Sequence, residues 1–169
     1  MPANRQTEVI QYLKKNITNF KDIAERDNEY ARCDAETPNY RIEIKTRGAS
    51  DPTRYTDGTI IEHKKAAHNE AKCMETGKEF IYAVLCGSEL YLWNITRMRK
   101  NGYDFDWQDK MCNATTNVRD SKGEMGRKIN KKIGLLDWKQ ARIQVNIKTN
   151  KITLGEKKCA KPIEPMKTQ

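Results

Sequence analysis

Two carboxylates and one amine in the first third of the chain stand at a spacing that could bring them together. Asp34 lies nine positions ahead of Glu43, and Lys45 follows Glu43 after one residue, so the chain reads D-x8-E-x-K. Glu43 and Lys45 belong to the stretch YRIEIKTR, residues 40–47, in which apolar and charged residues alternate. Alternation with a period of two predicts a half-buried β-strand that carries Arg41, Glu43 and Lys45 on one face.

Carboxylates on neighbouring strands could converge on one hard cation, because Mg²⁺ prefers carboxylate and water oxygens as ligands. We expect Asp34 and Glu43 to be such ligands, and the backbone carbonyl of Ile44 could add a third. Lys45 could orient an attacking water or stabilise charge that develops on a phosphate. A metal with these neighbours suits phosphodiester hydrolysis, in which it neutralises the phosphate and activates water. The alternative is a solvated pair of charges, which is common for an ExK triplet on an amphipathic strand.

The charge balance favours a polyanionic partner. The 169 residues carry a formal net charge of +9, and 33% of them are charged. Nucleic acid is the simplest partner for such a chain, although excess lysine can also serve only to keep a small protein soluble.

Nothing in the sequence indicates a membrane or an oxidising compartment. No apolar run approaches the roughly 18 to 20 residues that span a bilayer, and residues 1–16 lack an apolar signal core. The five cysteines are widely spaced and form no CxxC pair, which is typical of free thiols rather than of disulfides or a zinc site. We therefore expect a cytoplasmic protein without a membrane partner, in a host cell if a phage encodes it.

The apolar pattern predicts an order of helix, strand, strand, helix, strand, strand. An amphipathic helix is predicted at 6–16, strands at 29–35 and 40–46, and a second helix from 59. Two apolar strands at 79–86 and 89–95 join through Gly87 and Ser88, which favours an antiparallel hairpin with its first strand central in the sheet. A second hairpin is predicted at 143–154, and residues 96–134 are too polar for a structural prediction, although Trp107 should be partly buried.

The second predicted helix has recognisable ends. Thr59 followed by Glu62 matches a capping box, and Gly77 stands where a C-terminal cap is expected. Its predicted apolar face comprises Ile60, Ala67, Ala71 and Met74. We expect a single domain over residues 1–155 and a disordered tail over 156–169.

With this order of elements, Asp34, Glu43 and Lys45 make the chain resemble the PD-(D/E)XK nuclease superfamily. The resemblance covers roughly residues 28–95, and it departs from the family pattern where Cys33, not proline, precedes Asp34. It implies an α/β protein of the restriction-endonuclease-like fold, a mixed β-sheet flanked by helices, to which this chain would add the C-terminal β-hairpin. It also implies a Mg²⁺-dependent DNA endonuclease, with Mn²⁺ able to substitute and with Asp34, Glu43 and Lys45 as its catalytic residues.

The resemblance suggests further site residues and partners. Glu8 on the first helix would be an additional metal ligand, as in some members of the superfamily, and its alternative is an ordinary surface glutamate. A homodimer would pair two active sites for the cleavage of two strands. Lys64 and Lys65, early in the second helix, could contact phosphate, since a helix N-terminus favours such contacts.

A second basic group lies later in the chain, in the run RKINKKIG at 127–134. Its candidate phosphate contacts are Arg127, Lys128, Lys131 and Lys132, and the alternative is a solvated basic helix face. Two other functions stay open beside the nuclease. One is a non-catalytic nucleic-acid-binding protein, and the other is a small phage or mobile-element interaction protein that docks on an acidic partner.

Overall fold

A mixed β-sheet forms the centre of the fold, and helices pack on both of its faces. The computed structural model describes residues 5–26, 33–47, 58–113 and 128–154. The helices are α1 (Arg5–Asn16), α2 (His63–Thr76) and α3 (Ile95–Lys100), with 3₁₀ turns at Thr18–Phe20 and Trp138–Gln140. The strands are β1 (Ala24–Glu25), β2 (Ala35–Glu36), β3 (Tyr40–Arg47), β4 (Thr59–Glu62), β5 (Glu79–Cys86), β6 (Glu89–Asn94), β7 (Gln108–Asn113), β8 (Lys128–Leu136), β9 (Ile143–Asn146) and β10 (Ile152–Leu154).

The large sheet has, within the described ranges, seven strands in the order β1-β2-β3-β5-β6-β9-β10. Strands β3 and β5 run parallel, and α2 lies in the chain between them, as a parallel pair requires a long connection. The other neighbouring pairs are antiparallel. The prediction of a mixed sheet flanked by helices is confirmed, as are the central place of β5, its hairpin with β6 and the C-terminal hairpin of β9 and β10.

Each face of the large sheet has its own apolar core. On one face, Val9, Ile10 and Leu13 of α1 pack against a layer that includes Ile42 and Ile44 of β3. The opposite face is covered by α2, α3 and a smaller sheet, and its core includes Ile61, Ala66, Cys73, Phe80, Tyr82, Val84, Trp93, Phe105 and Leu136. Two covered faces explain why β5 is an almost unbroken apolar run.

Strand β3 is buried on both faces over its first five residues, Tyr40 to Ile44, so the prediction that it is half-buried is wrong there. Arg41 is 8% exposed and Glu43 is 2% exposed, although both lie on the face predicted to be polar. The reason is that α2 and the smaller sheet cover this face. Charges inside a protein need partners, and those partners form the candidate site described below.

The smaller sheet accounts for much of the region that the sequence left without a prediction. In the described part of the chain it has three strands in the order β4-β8-β7, all antiparallel. Residues 128–134 of the basic run therefore lie in strand β8 and not on a helix face. Arg127 lies outside the described residues. Trp107 is half-buried, as predicted, and Gly134 lies so close to the Phe105 and Trp107 rings that a Cβ would stand 3.0 Å from each.

The predicted start of the second helix is wrong. Thr59–Glu62 forms strand β4, and α2 begins only at His63, where Glu62 is the N-cap residue without a capping hydrogen bond from its side chain. The three residues from Thr59 to Ile61 are β-branched, which favours strand, and β4 pairs along its whole length with β8. The buried face of α2 is consequently Ala66, Asn69 and Cys73, while Met74 is 88% exposed.

Other expectations have mixed outcomes. Gly77 ends α2 in the left-handed conformation, as predicted, and Cys33, Cys73 and Cys86 are buried free thiols. None of the helices in the described residues is long and apolar enough to cross a membrane. Most of the strand predicted at 29–35 and the tail predicted at 156–169 lie outside the described residues.

Candidate active site

A bulged end of β2 positions the Asp34 carboxylate. Ala35 is the register partner of Ile42, and the Asp34 amide also donates to the Ile42 carbonyl, at 2.9 Å. Two consecutive residues that face one partner have the arrangement of a β-bulge, which redirects a side chain. The Asp34 side chain then accepts a hydrogen bond of 2.7 Å at Oδ2 from the Ile44 amide.

The Glu43 carboxylate lies at the centre of the site and is shared by two lysines. Its Oε1 atom is 2.8 Å from Nζ of Lys45 and 3.0 Å from Nζ of Lys65. Lys45 reaches it from the same face of β3, as the alternating sequence predicts, whereas Lys65 reaches it from the first turns of α2. The parallel crossover through α2 is what brings residues 22 positions apart into contact.

The two carboxylates repel each other. Burial, followed by the negative charge of Glu43, raises the pKa of Asp34 to about 6, although the Ile44 amide and the ammonium groups of Lys45 and Lys65 act in the opposite direction. Burial is the largest influence on Lys65 and lowers its pKa. The Glu43 carboxylate, a hydrogen bond with Lys45 and the charge of Glu62 together outweigh burial, so that the pKa of Lys65 lies above its ordinary value. The site therefore holds one carboxyl group with a raised pKa, Asp34, beside a second one, Glu43, that contacts two ammonium groups.

These residues fit a hard cation that keeps several of its waters. Asp34 and Glu43 supply two carboxylates whose repulsion a cation would relieve. Since the N–H and C=O of one strand residue point to the same side, the Ile44 carbonyl faces the side on which its amide meets Asp34. The described residues contain no group of three His, Cys, Asp or Glu side chains arranged for a metal, but Mg²⁺ is commonly bound through one or two carboxylates and water.

An ion pair between Glu62 and Lys131 lies beside the site. The sequence did not predict it. Nζ of Lys131 lies 2.9 Å from Oε1 of Glu62, and the Lys131 side chain is only 11% exposed. Burial is the largest influence on Glu62 and raises its pKa. The Lys131 ammonium, with smaller contributions from Lys65 and Lys45, outweighs burial in sum, so that this pKa lies below its ordinary value. Glu62 was assigned to a capping box, and only its pairing in β4 shows that it faces these lysines.

A separate ion-pair cluster anchors the start of β3. Nη1 of Arg41 lies 2.6 Å from Oε1 of Glu36, and its Nε donates to Oδ1 of the buried Asn69 at 3.2 Å. Nζ of Lys78 is 3.4 Å from the other oxygen of Glu36. These contacts tie β2, β3 and α2 together beside the site, so Arg41 has a structural part that its place in an alternating strand did not indicate.

The remaining predicted site residues are not gathered at Asp34 and Glu43. Glu8 pairs with Arg5 at 3.4 Å, and its helix packs on the opposite face of the large sheet, so the structure does not bring this glutamate to the other two carboxylates. Lys64 and Lys132 are exposed. Arg127 and the side chain of Lys128 lie outside the described part of the structure.

The arrangement combines two adjoining carboxylates, a backbone carbonyl and two lysines. Such a group can hold a divalent cation and present positive charge to an anionic substrate beside it. Comparison of the chain with protein-family models, curated proteins and solved structures finds no match.

Proposed function

We propose that the protein is a Mg²⁺-dependent nuclease of the restriction-endonuclease-like fold that hydrolyses phosphodiester bonds in DNA. The observation that supports this most strongly is the placement of two carboxylates and two lysines at one point of the sheet. Asp34 accepts a hydrogen bond from the Ile44 amide, next to Glu43, whose Oε1 atom lies 2.8 Å from Nζ of Lys45 and 3.0 Å from Nζ of Lys65. A protein that gained only stability here would have little use for two repelling acids. The pair is readily explained if a cation completes the site.

Each residue of the site has a part in the proposed reaction. Asp34, Glu43 and the Ile44 carbonyl would hold the ion, which supplies charge neutralisation at the phosphate and an activated water. The ammonium group of Lys45 lies 2.8 Å from Glu43. From there it could form an ion pair with a phosphate oxygen on which negative charge develops. Lys65 adds a second positive charge at the same oxygen of Glu43 and favours an anionic substrate.

The fold and the charge of the chain agree with this proposal. The acid of the D-x8-E-x-K pattern precedes β2 directly, and the E-x-K triplet lies on the neighbouring β3. After the additional strand β4, a helix and two strands follow in the expected order. The formal net charge of +9 suits a polyanionic substrate.

A non-catalytic nucleic-acid-binding protein is the second candidate, and one observation favours it. Glu43 is already paired with two ammonium groups, so the cluster can persist as a closed ion-pair network without a metal. Under this alternative, Lys45 and Lys65 would only hold the Glu43 carboxylate in a buried position.

Nicking of supercoiled plasmid DNA distinguishes the two candidates. We expect nicking with Mg²⁺ or Mn²⁺, none with EDTA, and none for Asp34→Asn or Glu43→Gln with either ion. Glu75→Gln is the matched control, because Glu75 is an exposed acid on α2 that pairs only with Lys72 in the described structure. Metal-independent DNA binding without nicking by the wild-type protein would favour the second candidate and refute the first.

A further inference from the structure

Strand β8 pairs with different neighbours along its two halves. Its residues 133–136 pair with β4, and its residues 128–133 pair with β7. The part of β8 before Ile133 therefore forms a two-stranded ribbon with β7, which extends beyond the end of β4 at Glu62. This ribbon, residues 108–113 with 128–132, is about 17 Å long at the usual rise of a strand.

The ribbon is basic and largely open to solvent. It contains four lysines and one aspartate, and residues 108–111, Asn130 and Lys132 are exposed. Its register places Lys110 directly opposite Lys131, and Asp109 opposite Lys132. Residues directly opposite share a face, so one face carries Lys110 and Lys131 and the other carries Asp109 and Lys132.

Two like charges directly opposite each other destabilise a strand pair unless an anion lies between or beside them. Lys131 has Glu62 as its anion. Lys110 has no carboxylate partner among the residues that the structure describes. The face that carries these two lysines is thus short of negative charge, and Lys131 connects it through Glu62 to Lys65 and Lys45 at the candidate site.

We infer that the Lys110 face of the ribbon binds the sugar–phosphate backbone beside the bond that is cut. Phosphates of one strand follow each other about every 3.4 Å along a duplex axis, so a ribbon of this length spans several of them. Lys110 contacts a phosphate outside the site, and Lys131, Lys65 and Lys45 continue the line of positive charge to Glu43. This inference rests on the proposed function, because the line of lysines leads to the proposed cleavage site.

The inference assigns different parts to two lysines of the same ribbon. Lys110 lies on the binding face, whereas Lys132 lies on the other face opposite Asp109. Lys110→Gln and Lys132→Gln remove the same charge from the same exposed ribbon, so they are matched variants. Lys148→Gln, in the turn between β9 and β10, is a control for the overall loss of charge.

The test is the salt dependence of DNA affinity, measured by fluorescence anisotropy in EDTA with duplex and single-stranded probes. We expect Lys110→Gln to lower the slope of log affinity against log salt by about 0.9 on duplex DNA, or by about 0.7 on a single strand. The probe that shows the loss identifies which backbone the ribbon holds. Lys132→Gln and Lys148→Gln should leave the slope unchanged.

Equal slopes for Lys110→Gln and Lys132→Gln would overturn the inference, as would an unchanged slope for Lys110→Gln on both probes. Plasmid nicking by the wild-type protein is scored separately. If the slope depends on Lys110 but the wild-type protein does not nick DNA, the ribbon binds nucleic acid and the proposed nuclease activity fails. If nicking occurs without the Lys110 effect, the activity stands and the ribbon has no part in it.

Discussion

The backbone amide of Ile44 donates a hydrogen bond of 2.7 Å to Oδ2 of Asp34, from the strand next to the one that Asp34 begins. A backbone donor in a central strand cannot swing away as a lysine can. The Asp34 carboxyl is therefore held in place in either protonation state, and an asparagine at this position can accept the same bond.

The first prediction concerns the pH dependence of stability in the absence of metal. The pKa of Asp34 is raised from 3.8 to about 6, so its favourable contribution is complete below pH 4 and is lost as the pH rises through about 6. Asp34→Asn removes this loss. Between pH 4 and 7 the wild-type protein should lose on the order of 2–3 kcal/mol of unfolding free energy relative to the variant.

Urea unfolding of both proteins in EDTA, at several pH values from 4 to 8, measures this difference. The wild-type and variant curves should lie close together near pH 4, diverge between pH 4 and about 6, and keep their full separation at higher pH. Parallel curves would show that Asp34 ionises as easily in the folded chain as in the unfolded one.

The second prediction concerns metal binding without DNA. A divalent cation that binds only the folded protein raises its stability by about 2.7 kcal/mol at a concentration 100 times its dissociation constant. Mn²⁺ and Mg²⁺ should raise the melting temperature of the wild-type protein and of Glu75→Gln. They should have no such effect on Asp34→Asn or Glu43→Gln, and a retained shift in both would place the cation elsewhere.

The third prediction concerns the chemical step. Lys45→Ala should lower the single-turnover cleavage rate by roughly 100-fold to 1,000-fold, the usual loss when one electrostatic partner of a transition state is removed. The variant should stay folded, because Glu43 keeps Lys65 as its partner, and a saturating protein concentration keeps any change in DNA affinity out of the single-turnover rate. Lys72→Ala is the control, because Lys72 is an exposed lysine that pairs with Glu75 on the surface of α2.

Equal rate losses for Lys45→Ala and Lys72→Ala would mean that total charge matters and the E-x-K pattern does not. Arg41, the other base on this face of β3, cannot serve as a silent control because it is only 8% exposed and paired.

The fourth prediction follows from that burial. Arg41→Ala leaves Glu36 without its shortest ion pair and leaves Oδ1 of Asn69 without its Arg41 donor. Glu36 keeps Lys78 and Arg26 as ion-pair partners, so we expect the loss of a buried hydrogen-bond partner, about 1–3 kcal/mol, and chemical denaturation should show a less stable protein. A loss below about 0.5 kcal/mol, the range of ordinary surface changes, would contradict the anchoring part assigned to this arginine.

The sequence predicts those elements well whose apolar residues follow one clear period. Helix α1, strands β3, β5 and β6, and the hairpin of β9 and β10 all have such patterns. It fails at Thr59–Glu62, because a capping-box spacing and a strand pattern coincide there and pairing with β8 decides between them. It also fails for β7 and β8. Their paired part is largely exposed and has no apolar face, so its sequence shows no apolar alternation that would predict a strand.

The candidate site was predictable in its spacing but not in its contacts. Glu43 and Lys45 share a face because strand residues alternate, and this could be read directly. That Lys65 meets Glu43 depends on where α2 crosses the sheet, and that Glu62 meets Lys131 depends on the pairing of two strands distant in sequence. A buried charged residue such as Arg41 cannot be told from a solvent-exposed one in the sequence, because the neighbouring residues do not show that α2 covers it.

The contacts at Ile60 have a consequence for how the protein can evolve. Its carbonyl accepts a hydrogen bond of 2.9 Å from the Tyr82 hydroxyl and one of 3.2 Å from Nη2 of Arg47. Gly58, at φ +102°, lies so close to the Leu136 carbonyl that no side chain fits. The chain is therefore fixed both where β3 ends and where β4 begins. Insertions between Arg47 and Gly58 should leave both ends and Glu43 in place, since doubling the length of a connection costs only about 0.6 kcal/mol.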